Sequence, residues 1–146
     1  MARKDSVFSI FRIMLSLLID TTTQTAKIGL AENEKIIAQD NWEANQKLAE
    51  ELVGKIEKLL FENKKNLKQV ENILVHNGPG GFSTLRIGVV AANTLGFGLN
   101  IPVFGIEGEL TLLEEILEKP RGVKPEPVKP IYTFPPRITI SKRNEK

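Results

Sequence analysis

Five large aliphatic residues, Leu48, Leu52, Ile56, Leu59 and Leu60, recur at three- and four-residue spacing within a mostly polar stretch. That period lays them along one face of a helix over residues 44–63. The helix stands between two apolar runs, residues 15–20 and 70–76, each with strand length and composition. A strand, a long helix and a second strand return the chain parallel to its starting direction. This unit restricts the chain to an α/β fold. Residues 26–31 and 35–39 add two short strands after the first run, separated by the turn Glu32-Asn33-Glu34. They close a three-stranded antiparallel meander. A second helix is expected over 83–99, with Ser83 as its N-cap. A strand follows over 101–106, at a sheet edge because Pro102 cannot donate to a ladder. A short helix over 110–117 ends before Pro120. The order βββαβαβα, meander first, is that of a single α/β half-domain of the ribonuclease-H type.

Three regions result: an N-terminal extension at 1–13, the domain at 14–118 and a basic, Pro-rich, extended tail at 119–146, with a terminal strand expected at 137–140. The length of 146 residues suits one domain with a core of its own. The formal net charge is +2. The tail holds eight Lys/Arg against two Glu, or +6, so residues 1–118 carry −4. The body is thus a poor nucleic-acid platform, and the tail is either solvated or able to touch phosphates. The apolar run from Val7 to Ile19 is interrupted by Arg12, is too short to span a bilayer, and lacks a small-x-small cleavage site. Residues 1–13 therefore read as an extension before a natural start at Met14. No cysteine is present, which removes disulfides and thiolate chemistry and fits a reducing cytoplasm.

Chemistry-bearing residues are few. His76 is the single histidine, so a Ser–His–Asp set has little room, and no H-E-x-x-H occurs. His76 itself reads as a strand-end residue making a local hydrogen bond or, less simply, as a base. Asp20-Thr21-Thr22-Thr23 places a carboxylate and hydroxyls at a strand end. Such a set either holds a phosphate with its counter-ion or caps its own turn. Gly78-Pro79-Gly80-Gly81 precedes a helix but matches neither G-x-G-x-x-G nor the P-loop, which would need a Lys. Arg86, in the first turn of that helix, could face an anion or pin the loop through carbonyl oxygens. Thr84, Gly88, Ala92 and Gly96 recur every four residues as a smooth stripe. Small residues let a neighbour approach closely, either this chain's own elements or a partner. Because Leu85, Val89 and Leu95 already offer a large-residue face, the stripe is expected to serve a partner. Gly54, inside the first helix, costs about 1 kcal/mol relative to Ala, so it is expected to mark a close contact.

The stretch Gly78-Pro79-Gly80-Gly81-Phe82-Ser83-Thr84-Leu85-Arg86-Ile87-Gly88 resembles the G-P-G-S-F-T-G-L-R-I-G signature of the TsaB (YeaZ) family, within the Gcp-like, actin/Hsp70-type superfamily. Leu17-Leu18-Ile19-Asp20-Thr21-Thr22-Thr23 is similar to its opening I-D-T-S-T, and Asn100-Ile101-Pro102-Val103-Phe104-Gly105-Ile106 to its N-I-P-V-V-G-V strand. Pro130-Ile131-Tyr132 with Pro135-Pro136-Arg137-Ile138-Thr139 resembles its closing P-x-Y-x-R-P-P-x-I-T. The likeness covers residues 14–106 and, less closely, the tail. Gly81 replaces the usual Ser, Ser83-Thr84 stands where Thr-Gly is usual, and most of the family's second half is missing.

The resemblance implies a non-catalytic scaffold that pairs with a TsaD-like catalytic subunit, with a TsaE-like ATPase joining them. That complex transfers a threonylcarbamoyl group from threonylcarbamoyl-adenylate to N6 of the adenosine 3′ of the anticodon in tRNAs reading codons that begin with A. ATP and metal are then expected on partner subunits, with no cofactor, metal or catalytic residue on this chain alone, and tRNA is reached through the complex. The family's contact is a four-helix bundle, here from helices 44–63 and 83–99. It designates Leu52, Ile56, Thr84, Leu85, Gly88, Val89, Ala92 and Gly96 as docking residues. The alternatives are a homodimeric interaction module using the same stripe, and a nucleotide hydrolase using Asp20, Thr21, Gly78, Gly80, Gly81 and Arg86. The first two readings make the glycine loop the start of a helix; only the third makes it a phosphate site.

Overall fold

A computed structural model describes residues 13–119 and 127–133, apart from the Phe82 side chain. The N-terminal extension up to residue 12 and the strand expected at 137–140 lie outside the described residues. Among the described residues, five strands form one sheet in the order β3-β2-β1-β4-β5. These are β1 (Leu15–Asp20), β2 (Thr25–Glu32), β3 (Lys35–Glu43), β4 (Asn72–Gly78) and β5 (Val103–Glu107). β1 pairs antiparallel with β2 and β2 with β3, while β4 runs parallel to both β1 and β5. The meander, the parallel crossover and the edge position of the last strand all agree with the sequence-based expectation.

The helices are α1 (Leu48–Glu62), α2 (Phe82–Leu99) and α3 (Glu114–Glu118). α1 and α2 lie side by side on one face of the sheet. Leu52, Ile56 and Leu60 from α1, and Leu85, Val89 and Ala92 from α2, meet Leu17, Ile19, Ile28, Leu30, Ile73 and Val75 there. The opposite face buries Leu18, Ala31, Leu74 and Ile106 beneath Leu113 and Ile116 of the short α3 segment. Because β1 and β4 are covered on both faces, their centres, Leu17–Ile19 and Ile73–Val75, are consecutive apolar residues rather than alternating ones.

Several boundaries differ from expectation for local reasons. β3 extends to Glu43, and residues 44–47 form a turn in which Lys47 N–H donates to Asn45 Oδ1 at 2.7 Å. α1 therefore begins at Leu48, not at 44. α2 begins at Phe82 with Gly81 as its extended N-cap; Ser83 is already inside the helix and exposed, and makes no cap. Asn33 and Glu34 both have positive φ, forming the two-residue hairpin turn whose twist matches antiparallel strands. Between Leu30 and Ala31 the β2–β3 register shifts by one residue, leaving Ile37 unopposed. That bulge sends Ile36 to the α3 side, whereas Ala38 and Trp42 join the α1 side.

Candidate functional site

The carboxyl ends of β1, β4 and β5 converge, and every loop leaving them is tied to another. Asp20 ends β1 and is buried. Its Oδ1 accepts from Thr22 N–H at 3.0 Å and from Thr22 Oγ1 at 2.7 Å, and its Oδ2 lies 3.1 Å from His76 Nδ1. Burial pushes the Asp20 carboxyl up, but the bonds from His76 and Thr22 outweigh it and hold it below the ordinary value. Burial likewise opposes charge on His76. The Asp20 carboxylate, aided by the Gly108 carbonyl, overcomes this and raises the imidazole above its ordinary value. His76 Nε2 is 2.7 Å from Gly108 O, on the turn after β5.

Both Asp20 oxygens are thus engaged inside the chain, and among the described residues no cluster of three metal-binding side chains occurs. The Asp20–Thr23 segment is a self-capped turn joined to a buried ion pair. Thr21 is also buried and packs against Gly88 of α2.

The glycine loop is shaped by its neighbours. Gly78 has φ +125, and a side chain there would overlap Ile131 O. A Cβ on Gly80 would sit 2.8 Å from Thr22 O. Gly81 donates its N–H to Thr22 O at 3.3 Å. Residues 127–133 lie over this loop as a strap. Ile131 N–H donates to Asn77 O at 2.6 Å and Thr133 N–H to Gly80 O at 3.1 Å, and Tyr132 pairs with Gly80 in a short parallel bridge. Arg86 Nε donates to the Tyr132 hydroxyl at 3.3 Å, so this side chain contacts the strap rather than loop carbonyls. The expectation of a solvated tail is therefore corrected for 127–133, which are extended but seated on the body.

The strap's main anchor, Asn93, was not singled out from sequence. Its Nδ2 donates to Val128 O at 2.8 Å and its Oδ1 accepts from Val128 N–H at 3.1 Å. One amide side chain thereby imitates a strand partner. The available signal was a lone Asn amid the small and apolar residues of α2.

The structure also corrects the small-residue stripe. Gly88, Ala92 and Gly96 are buried against this chain's own sheet, and Thr84 is half-buried. A Cβ on Gly88 would overlap Thr21 Oγ1, and one on Gly96 would overlap Val103 Cγ2. Leu52, Ile56, Leu85 and Val89 are core residues too. The stripe brings α2 close to the sheet, which a wider row of side chains would prevent. Gly54 is the reverse case: nothing lies within 4 Å of a Cβ placed there. Among the described side chains, the large apolar ones that α1 and α2 leave exposed are Val53 and Phe61 on the first, and Val90 and Phe97 on the second.

Residues 40–131 match the family model described as TsaD, tRNA N6-adenosine threonylcarbamoyltransferase. With a relative named TsaB 30% identical over 68% of this chain, the chain belongs to the TsaB (YeaZ) family. It is 29% identical over 99 residues to the tRNA threonylcarbamoyladenosine biosynthesis protein TsaB of Bacillus subtilis, covering 68% of this chain and 43% of the relative. Against the protein of the same name from Haemophilus influenzae it is 27% identical over 103 residues, covering 70% and 43%. The solved structure of YeaZ from Pseudomonas aeruginosa superposes with a TM-score of 0.59 at 26% identity, over 64% of this chain and 44% of that one. This TsaB-family chain thus spans less than half the length of the relatives it matches. The shared fold is the ribonuclease-H-like half-domain. Among the described residues, no helix is long and apolar enough to cross a membrane.

Proposed function

We propose that the chain acts in the biosynthesis of threonylcarbamoyladenosine in tRNA, as a non-catalytic docking subunit for a TsaD-like catalytic protein. ATP and metal belong, on this reading, to partner subunits. The TsaB-named relatives support the pathway. The observation that carries the docking role is the pair of neighbouring helices α1 and α2, which keep Val53, Phe61, Val90 and Phe97 exposed after their other faces have filled the core. Phe97 is 91% exposed and Phe61 81% exposed, far beyond what a core role would leave. Large aromatic side chains of this kind are typical anchors of protein interfaces. A nucleotide-hydrolase role is less well supported, because both Asp20 oxygens already face groups of this chain and the strap lies on the glycine loop.

The test is co-expression with the TsaD-like protein of the same genome, followed by sizing chromatography. Co-elution is expected, and Phe97→Asp should abolish it while circular dichroism stays unchanged. Ala92→Phe is unsuitable here, because it would disrupt the core. A folded chain that elutes alone, or pairs only with itself, would overturn the assignment.

A further inference from the structure

Residues 127–133 meet the body of the chain as a bound peptide would. The strap's backbone supplies most of the contact: Val128 N–H and O pair with the Asn93 side chain, and Lys129 O accepts from Asn77 Nδ2. Further along, Ile131 N–H donates to Asn77 O and Thr133 N–H to Gly80 O. The side chains of Val128 and Tyr132 pack against the core cluster but stay half-buried. Recognition through backbone amides and carbonyls fixes an extended shape while tolerating different side chains.

The groove is open because side chains are missing from its floor. A Cβ on Gly78 would overlap Ile131 O, and one on Gly105 would lie 2.8 Å from Val128 Cγ1. Its polar groups stand on regular elements, Asn77 on β4 and Asn93 on α2. Those elements are held together by Leu85, Val89 and Ala92 against Ile73 and Val75, so the groove keeps its shape when the strap leaves. Among the described residues, Asn77 Oδ1 is buried without a hydrogen-bond partner, so the groove offers one acceptor more than its own segment uses.

The strap's sequence matches this groove in a specific way. Pro127 and Pro130 have no N–H, and the strap amides that donate to the body are those of Val128, Ile131 and Thr133. Pro127-Val128-Lys129-Pro130 has the P-x-x-P spacing, which follows the three-residue period of polyproline II. Each proline has its φ already fixed, so less conformational freedom is lost on docking.

We infer that the groove between α2 and strands β4 and β5 is a binding site for an extended, proline-rich peptide of the P-x-x-P kind, and that residues 127–133 are its tethered occupant. A short tether holds its segment at an effective concentration on the order of 1 mM. The wild-type chain is therefore closed to a weakly binding peptide, and weakening the strap uncovers the site. The site is separate from Val53, Phe61, Val90 and Phe97, and it stands whether or not those residues dock a partner.

The test uses the full chain carrying Val128→Ser, Ile131→Ser and Tyr132→Ser, which weakens the strap and leaves the groove residues intact. The probe is a fluorescent peptide, Pro-Val-Lys-Pro-Ile-Tyr-Thr, followed by anisotropy. Binding to this variant should be at least about tenfold tighter than to the wild type. Adding Asn93→Ala to the variant, or methylating the valine nitrogen of the peptide, should weaken it about tenfold. A folded variant that binds no peptide, or a wild-type chain that binds it equally well, would overturn the inference. Wild-type dimerisation that Asn93→Ala abolishes would assign the groove to the strap of a second copy, and overturn it in that way. If the triple variant fails to fold, amide exchange in the wild-type chain decides. Peptide on the order of 1 mM should speed exchange at Val128, Ile131 and Thr133 about twofold or more, by holding the strap out, while Leu18 and Leu74 in the sheet stay unchanged. Rates that do not respond to peptide would overturn the site.

Discussion

Two helix-interior glycines should respond differently to the same substitution. Ala is favoured over Gly in a helix by about 0.5–1 kcal/mol. At Gly54 nothing lies within 4 Å of the added methyl, so Gly54→Ala should stabilise the chain by about 0.5–1 kcal/mol. At Gly88 the methyl would overlap Thr21 Oγ1, with Thr21 Cβ and Cγ2 both 3.1 Å away. Rotating Thr21 can move Oγ1 aside, but its Cβ stays 3.1 Å from the methyl, so full relief also requires α2 to move off the sheet. Overpacking of that kind costs about 1–3 kcal/mol. After the propensity gain is subtracted, Gly88→Ala should be neutral or destabilising by up to about 2.5 kcal/mol, leaving the overpacking cost of about 1–3 kcal/mol between the two variants. Urea unfolding can be followed through the single tryptophan, Trp42, which packs against the core with Lys55 over its ring. Thr21→Ala removes the obstructing hydroxyl and should recover much of the Gly88→Ala loss, giving a positive coupling in a double-mutant cycle. A Gly88→Ala variant as stable as Gly54→Ala would refute the claim that the stripe is packed against the chain's own sheet.

Asn93→Ala should remove both bonds to Val128, a loss of about 1–3 kcal/mol in strap docking, seen as faster limited proteolysis near residues 127–133 with little change in the global unfolding midpoint. Ile56→Ala removes a fully buried side chain from beneath α1 and should cost about 2–5 kcal/mol, measured by the same urea titration.

The sheet was legible because its signals are local. β1 and β4 carry consecutive apolar residues at Leu17–Ile19 and Ile73–Val75, and the residues of α1 that repeat at helical spacing are the ones that became buried. The meander and crossover followed from loop lengths alone. The stripe on α2 was detected correctly, but its neighbour was assigned wrongly. A row of small residues specifies close approach without specifying what approaches, and here it is Thr21 and Val103 of the same chain. Gly54 failed the opposite way: its intrinsic cost suggested a contact that does not exist. At the strand ends, the pairing of Asp20 with His76 spans 56 positions and depends on β1 and β4 lying side by side in register. Nothing in either residue's immediate sequence announces that contact. The strap was harder still, since its anchors Asn77, Asn93 and Arg86 belong to segments with no shared periodicity.

The bulge at Ile37 has a consequence for colloidal behaviour. β3 forms one border of the sheet, and a nine-residue border strand offers backbone donors and acceptors to any extended peptide that drifts past. The extra residue interrupts that row after Lys35 and Ile36 and reverses which side chains face forward. A passing strand that matches the first segment is out of step with the second. The border therefore behaves as a two-residue and a six-residue ledge instead of one nine-residue template, so a passing strand keeps step over the second ledge alone.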